Sequence, residues 1–257
     1  MDINLLAVNV GNSRVSLGVF VKGELLQAVR LNLGDSAGLA AAIEDAWSKF
    51  TDSDRPEIAG ASVNPLAQEA VEHAVVQKTG KPVQWVGREI DLPVEVKTDS
   101  PKETGIDRVL VSAAAFEQME KACVVVDAGT ALTLNLCDDK GAFLGGAIAP
   151  GARLMLESLH EHTAKLPQVA LAKPAGLVGK NTEQAMLVGV VAGARGIVKE
   201  IVEGYAEALG NWPEIICTGG DAQLLFGDWE LVHAVSPDLL LYGIALAYTN
   251  HHIKHES

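Results

Sequence analysis

The sequence has few cysteines, no long apolar run and no basic N-terminal segment. Its three cysteines, Cys123, Cys137 and Cys217, stand singly in apolar runs. This pattern excludes a disulfide framework and a Cys-x-x-Cys zinc site, and it predicts buried free thiols. No apolar stretch reaches the roughly 18 residues that a membrane-spanning helix needs, so we expect no membrane association. The start, Met1-Asp2-Ile3-Asn4, is unlike a signal peptide. Together these absences predict a protein of the reducing cytoplasm.

Positive charge is also scarce, and several catalytic motifs are missing. Lysine and arginine number 20 against 33 aspartates and glutamates, which gives a formal net charge of −13. This disfavours a nucleic-acid partner, because such proteins present a basic face. The chain has no Gly-x-x-x-x-Gly-Lys-Ser/Thr or His-Glu-x-x-His motif. An anionic phosphate would therefore be held locally, by a metal ion, backbone N–H groups or helix N-termini.

Two segments of the chain repeat one pattern of three strands joined by short turns. A polar-x-Gly-polar turn follows the first strand in each copy, Asn9-Val10-Gly11-Asn12 in one and Asp127-Ala128-Gly129-Thr130 in the other. The copies lie nearly half the chain apart, which predicts an internal duplication into halves 1–117 and 118–257. The strands are predicted at 5–10, 14–20 and 24–33, and again at 123–126, 131–136 and 142–148.

Helical periodicity follows both meanders, which indicates the α/β class with mixed sheets. The last helix would begin with Ser236 as its cap, before Pro237. The histidines at 251, 252 and 255 can be weak metal ligands or a solvated chain end, and we expect the solvated end. Helices are predicted at 36–50, 66–79, 104–122, 182–210 (as one or two helices), 222–226 and 237–250, with further strands at 60–63, 83–86 and 214–217.

Three junctions place small and polar residues directly after a buried strand. They are Asn9–Ser13, Asp127–Thr130 and Thr218–Asp221. Open α/β folds bind ligands at the carboxyl ends of their strands. Glycines there let a phosphate approach backbone N–H groups, and a carboxylate can hold a metal ion or its waters. Each junction alone can equally be a tight turn, whereas the three together in this order indicate a nucleotide site.

The order of the three junctions resembles that of the actin/hexokinase/heat-shock-cognate ATPase superfamily. Within it, the segments Pro101-Lys102-Glu103-Thr104-Gly105-Ile106-Asp107-Arg108 and Gly145-Gly146-Ala147-Ile148-Ala149-Pro150-Gly151 resemble type III pantothenate kinases. The resemblance spans the chain from Val8 to about Asn250. It implies a duplicated actin-like ATPase (ribonuclease H-like) fold, with two similar halves that each carry a mixed β-sheet and flanking helices.

The resemblance also implies a role for individual residues. Asp107 would accept the proton of the primary hydroxyl of pantothenate, and Asp127 would bind a monovalent cation, K⁺ or NH4⁺. Mg²⁺ would lie on the ATP phosphates, and the protein would be a homodimer. The ATP contacts implied are Asn9, Gly11, Asn12, Ser13, Ser16, Thr130, Gly219 and Gly220, and the pantothenate contacts are Thr98, Gly105, Ile106, Asp107, Arg108 and Thr182.

Structural roles for the same residues stay open at this point. Asp107 can be an N-terminal helix charge, which stabilises a helix by only about 0.3–1 kcal/mol. Arg108 can form an ion pair instead of offering a planar fork to the pantothenate carboxylate. Thr182 can be the N-cap of its helix.

Three positions depart from the family pattern. Asn9 stands where the first phosphate loop normally begins with Asp, Ser16 where Lys is frequent, and Thr98 where a Tyr precedes the proline. Asn9 can hydrogen-bond a metal-bound water but brings no negative charge. Loss of one such transition-state interaction costs on the order of 10²–10³ in rate.

The first hypothesis is ATP-dependent phosphorylation of pantothenate to 4'-phosphopantothenate, the opening step of coenzyme A biosynthesis. The second is a non-catalytic relative that keeps the pocket as a binding or regulatory protein, with Asn9 as its main support. The third is another kinase of the superfamily, for a sugar or a small acid, against which Gly105–Arg108 argue. Release of ADP separates the first two hypotheses, and a panel of substrates separates the third.

Overall fold

The strands form two five-stranded mixed sheets in residues 3–51 and 55–256, the part of the chain that the computed structural model describes. Contacts divide the chain into two compact units. Unit 1 comprises Met1–Glu95, Asp99–Ala114 and Asp238–Ser257, and unit 2 comprises Val96–Thr98 and Ala115–Pro237. The C-terminal segment therefore lies in unit 1. The predicted boundary after residue 117 lies between the two meanders. The division into domains 1–117 and 118–257 stays a prediction.

The sheet of unit 1 has the strand order β3-β2-β1-β4-β5. β1 is antiparallel to β2 and parallel to β4, and β2 is antiparallel to β3, so the first predicted meander is confirmed. The strands are β1 (Leu5–Val10), β2 (Arg14–Val21), β3 (Glu24–Asn32), β4 (Glu57–Ser62) and β5 (Gln84–Trp85). The helices of this part of the chain are α1 (Ser36–Trp47), α2 (Pro65–Thr79) and α3 (Ile106–Met119), with a 3-10 turn at Pro101–Glu103.

Strand β1 is apolar at every position except Asn9, because both of its faces are covered. Leu6 and Val8 belong to one core cluster with Ile43 of α1 and Val71 of α2. Leu5 and Ala7 belong to a second cluster, which includes Leu110 of α3 and Leu241 and Ile244 of the C-terminal helix. A strand buried on both faces is a continuous apolar run and not an alternating one.

Unit 2 repeats this arrangement with the order β8-β7-β6-β9-β10. β6 is antiparallel to β7 and parallel to β9, and β7 is antiparallel to β8, as β1, β2, β4 and β3 are in unit 1. The duplication expected from the sequence is thus confirmed at the level of strand order and direction. The elements are β6 (Cys123–Ala128), β7 (Ala131–Cys137), β8 (Phe143–Pro150), α4 (Ala152–Glu161), α5 (Thr182–Leu209), β9 (Glu214–Thr218), α6 (Ala222–Phe226) and β10 (Ala234–Val235).

The last helix, α7 (Leu239–Glu256), differs from its prediction at both ends. Ser236 is not its cap, because the N–H of Ser236 donates to the carbonyl of Cys217 and continues the pairing of β10 with β9. The carbonyl of Asp238 accepts the first helical hydrogen bonds instead, from Leu241 and Tyr242. At its other end the helix continues past residue 250 and includes His251–His255, of which Ile253, Lys254 and His255 are exposed and His251 and His252 are half-buried.

The remaining expectations about elements are mostly met. The predicted segment 182–210 forms one helix, α5 (Thr182–Leu209), which Asn181 caps by accepting the N–H of Gln184 at 2.8 Å. Helix α4 had no counterpart among the predicted helices. Cys123, Cys137 and Cys217 are free and buried, as expected. Among the described residues, no helix is long and apolar enough to cross a membrane.

Candidate active site

The first predicted phosphate loop forms the turn between β1 and β2 in unit 1. Asn9 is half-buried near the end of β1, opposite Ser16 on β2 and Ala61 on β4. The N–H of Gly11 closes the turn on the carbonyl of Arg14 at 2.9 Å. The structure therefore brings five of the predicted ATP contacts to one end of the sheet: Asn9, Gly11, Asn12, Ser13 and Ser16. Of these, Asn12 and Ser13 are exposed at the tip of the turn.

The predicted pantothenate segment forms the start of α3 in the same unit. Asp107 is the second residue of α3 and is half-buried, and its Oδ1 accepts the backbone N–H of Arg108 at 2.8 Å. Gly105 leaves room for this carboxylate, because a Cβ there would lie 2.8 Å from Oδ1 of Asp107. The helix N-terminus holds the carboxylate in place and supplies a positive partial charge beside it.

The electrostatics of Asp107 fit a proton acceptor. Burial raises the pKa of the Asp107 carboxyl, and the N–H and positive charge of Arg108 offset only part of that rise. A carboxylate with a raised pKa holds a proton more strongly than an exposed one does. This direction is consistent with the predicted role of Asp107 as a proton acceptor, which stays a prediction.

In unit 2, Asp127 and the turn after β9 lie against each other. Asp127 is half-buried near the end of β6, opposite Thr133 on β7 and Thr218 on β9. Gly219 has a φ of +93°, and a Cβ on it would overlap Oδ1 of Asp127 and the carbonyl oxygen of Ala128. This position therefore requires glycine, both for its backbone conformation and for its contact with Asp127. Two further predicted ATP contacts, Thr130 and Gly220, are exposed in the neighbouring turns.

An ion pair that sequence reasoning missed fixes the same turn. Nε of Arg153 donates to both carboxylate oxygens of Asp221 at 3.0 Å, and Nη2 donates to Oδ1 at 2.7 Å. Asp221 is buried, so the fork of Arg153 neutralises a carboxylate that has little access to water. No local signal joins positions 153 and 221, since they lie on different elements far apart in the sequence. The pair ties the start of α4 to the turn that contains Gly219 and Gly220.

Thr182 and Thr98 occupy two other places in unit 2. Thr182 is the first residue of α5 and lines a cavity of about 820 Å³ between α4 and α5. The N-cap alternative for Thr182 is wrong, because Asn181 fills that role. Thr98 is half-buried. It follows Lys97, whose N–H donates to the carbonyl of Phe143 on β8 at 2.8 Å. Apolar side chains of Leu154, Met155, Leu159 and Met186 share the cavity wall with Thr182.

Asp127 suits an oxygen-liganded cation better than a transition metal. Oδ1 of Asp127 and the carbonyl oxygen of Ala128 both lie against Gly219, and oxygen is the ligand type that hard cations prefer. In residues 3–51 and 55–256, no cluster of three His, Cys, Asp or Glu ligand atoms contains Asp127. A cation there would take its other ligands from backbone, hydroxyl or substrate oxygens. Asn9 holds the corresponding position in β1 but is neutral.

Comparison with known sequences gives a consistent family. A sequence profile described as "Type III pantothenate kinase" matches residues 5–204. A relative of that name from Dehalococcoides mccartyi is 33% identical over 256 residues, covering 96% of this chain and 98% of the relative. Another of the same name, from Moorella thermoacetica, is 32% identical over 252 residues, with 95% and 98% covered.

Comparison with solved structures supports the fold. The chain is similar to component A of the (R)-2-hydroxyglutaryl-CoA dehydratase of Acidaminococcus fermentans, with a TM-score of 0.60, 13% identity and 99% and 100% of the two chains covered. It is also similar to the ROK hexokinase of Thermus thermophilus, with a TM-score of 0.54, 15% identity and 96% and 99% covered. At these identities the likeness concerns the fold alone, and that fold is the duplicated actin-like one.

Proposed function

The chain belongs to the type III pantothenate kinase family, and we propose that it transfers the γ-phosphoryl group of ATP to the primary hydroxyl of pantothenate. The product would be 4'-phosphopantothenate, and the reaction would open coenzyme A biosynthesis. The observation that carries the proposal is the half-buried Asp107 at the start of α3, in the segment that matches the family. The family match disfavours a kinase for a sugar or another small acid.

Asp107 orients the attacking hydroxyl and accepts its proton. The transition state of phosphoryl transfer is loose, so the reaction depends more on positioning than on a strong base. The raised pKa of the Asp107 carboxyl makes it a better acceptor than an exposed aspartate. Arg108, the next residue of α3, offers a planar guanidinium to the carboxylate of pantothenate. Gly105 and Ile106 line the same segment, and Thr98 and Thr182 are the contacts proposed from unit 2.

The turns at the strand ends would hold ATP. Gly11, Asn12 and Ser13 offer backbone N–H and side-chain donors to phosphate oxygens, with Ser16 on the adjoining strand. In unit 2 the hydroxyl of Thr130 adds a donor, and Gly219–Gly220 provide a flat backbone for the adenosine. Because each of these three turns follows a buried strand, its backbone is anchored before the nucleotide binds.

Two cations complete the proposal. Mg²⁺ supplied with ATP would neutralise charge on the β- and γ-phosphates, and the amide oxygen of Asn9 would accept a hydrogen bond from its bound water. The carboxylate of Asp127 would bind K⁺ or NH4⁺, with the carbonyl oxygen of Ala128 beside it as a further oxygen ligand.

We also propose a cytoplasmic homodimer. Exposed apolar side chains in unit 2 favour a self-association surface: Ile148 is 65% exposed and Leu177 is 96% exposed. Burial raises the pKa of the Cys217 thiol to about 12, and a hydrogen bond to Cys137 together with burial raises that of Cys123. Such unreactive free thiols suit a reducing compartment.

The test is pantothenate-dependent release of ADP from the purified protein with MgATP and KCl. Replacement of Asp107 by Asn should lower turnover by about 10²-fold or more, because it removes the proton acceptor and keeps the shape. Glu117→Gln is the matched control, since it removes one carboxylate from the exposed C-terminal part of the same helix. Nucleotide binding without any ADP release would instead favour the non-catalytic relative.

A further inference from the structure

Three side chains that play no part in the proposed reaction form a cluster of metal-ligand atoms in unit 1. Asp91, His251 and His255 bring one ligand atom each within 4.8 Å of one another. They are the only three-membered group of His, Cys, Asp or Glu with this geometry in residues 3–51 and 55–256. The cluster joins the end of α7 to the loop that follows β5.

The helix fixes the two histidines on one face. His251 and His255 are four residues apart in α7, so their rings lie one above the other, with centroids 4.3 Å apart. Two histidines at this spacing are an established way for a helix to present a pair of zinc ligands. The side chain of His251 is only 19% exposed, whereas that of His255 is 61% exposed. One ligand is therefore held by packing, and the other can turn towards an ion.

Both histidines face the carboxylate of Asp91. Nδ1 of His251 lies 3.6 Å from Oδ2 of Asp91, and Nε2 of His255 lies 3.7 Å from the same oxygen. Ligand atoms around a tetrahedral zinc ion lie about 3.3 Å apart, since each bond is about 2.0–2.1 Å long. Nδ1 of His251 also accepts the backbone N–H of Asp91 at 3.3 Å, a long hydrogen bond that a bound ion would replace.

The loop that carries Asp91 is anchored to the same core as α7. The preceding residue, Ile90, is 1% exposed and belongs to the cluster that contains Leu241 and Ile244 of α7. The N–H of Gly87 closes the loop on the carbonyl of Ile90 at 2.7 Å. Because one packed core positions both the loop and the helix, the backbone segments that carry the three ligands are held close together before any ion arrives.

We propose that Asp91, His251 and His255 bind a divalent transition-metal ion, for which Zn²⁺ is the best match. Two imidazoles and one carboxylate suit Zn²⁺, whereas Mg²⁺ and Ca²⁺ prefer sets made of oxygen alone. Three protein ligands leave a fourth position for water, so the ion exchanges with solvent and is not locked in a closed structural site. A bound ion clamps the last turns of α7 onto the β5 loop and stabilises unit 1.

The test is Zn²⁺ binding to the tag-free full-length protein, measured by competition with a chromophoric chelator in the absence of ATP. The native chain should bind one Zn²⁺, and its thermal unfolding midpoint should rise relative to the protein in EDTA. Asp91→Asn and His255→Gln should each weaken binding by about tenfold or more. Both side chains are exposed, so these variants should unfold in EDTA at the same temperature as the native chain.

His73→Gln is the matched control, because it removes an exposed histidine from another helix and leaves the cluster intact. It should bind Zn²⁺ as the native chain does. Absence of binding by the native chain would overturn the proposal. Equal binding by the native chain and both cluster variants would also overturn it, because the ion would then lie elsewhere. Neither result bears on the proposed kinase reaction, which uses none of these residues.

Discussion

At the scale of the residue, Asp107 shows how the proposed chemistry conflicts with stability. Burial raises the pKa of this carboxyl, and Arg108 offsets the rise only in part. A carboxyl whose pKa is higher in the folded state than in the unfolded state contributes stability at low pH. That contribution is lost as the pH rises through the folded pKa. At neutral pH the ionised Asp107 therefore lowers the free energy of unfolding.

Replacement of Asp107 by Asn should consequently make the protein more stable at neutral pH while it removes activity. The unfolding midpoint of the variant should exceed that of the native chain at pH 7. The difference should shrink as the pH falls through the raised pKa towards the unfolded value of 3.8. Thermal unfolding across this pH range measures it. If Asp107→Asn were less stable than the native chain by the same amount at pH 7 and at acid pH, burial of the ionised carboxylate would not be the cause of the effect.

Asn9 and Asp127 hold equivalent positions in the two repeated meanders but differ in charge. Each is the fifth residue of the first strand of its meander, and the two strands share one burial pattern. Only Asp127 carries a charge. Since a carboxylate at position 9 would hold metal-bound water more strongly, Asn9→Asp should raise the turnover number by about tenfold or more.

The control for that substitution is Gln118→Glu, which adds the same charge on the exposed surface of α3. Initial rates of ADP release at saturating MgATP and pantothenate give the comparison. A turnover number that Asn9→Asp leaves unchanged or lowers would show that the amide of Asn9 already meets the requirement of the reaction.

At the scale of the element, the turn after β9 depends on one glycine. Gly219 has a φ of +93°, and a Cβ there would overlap the carboxylate of Asp127. Gly219→Ala should lower the free energy of unfolding by about 1–3 kcal/mol, the usual cost of backbone strain, and should weaken ATP binding. The matched control is Gly204→Ala on α5, where a Cβ would meet no atom within 4 Å. It should raise the free energy by about 0.5–1 kcal/mol, because alanine favours a helix.

Denaturant unfolding of the two alanine variants measures both changes in the free energy of unfolding, and nucleotide binding is measured on the same samples. If Gly219→Ala unfolded at the same denaturant concentration as the native chain, the close approach of this turn to Asp127 would be wrong.

Local patterns predicted the elements, but not all of their ends. The meanders followed from apolar runs and short turns, and the start of α3 followed from the helical spacing of Ile106, Val109 and Leu110. The start of α7 was predicted too early. Serine before proline is a good helix signal, but here the N–H of Ser236 pairs with β9. A contact with a distant strand decided this boundary, and no local pattern contains it.

At the scale of the whole molecule, the sequence predicted the repeated sheet because both copies carry the same strand and turn signals. It could not predict pairs that depend on long-range folding. Arg153 meets Asp221 only because α4 starts beside the turn after β9, and Asp91 meets the histidines only because α7 packs into unit 1. Three predicted site groups nevertheless fall at strand ends or a helix start within their own unit: the β1–β2 turn and the α3 start in unit 1, and the Asp127–Gly219 contact in unit 2.

The most direct test of the central claim is identification of the product by mass spectrometry and phosphorus NMR after incubation with pantothenate, MgATP and K⁺. The native chain should form 4'-phosphopantothenate in step with ADP, with the phosphate on the primary hydroxyl, and Asp107→Asn should form little or none. ADP released without phosphopantothenate, or product formed equally by Asp107→Asn and Glu117→Gln, would contradict the assignment of Asp107 as the acceptor in a pantothenate kinase.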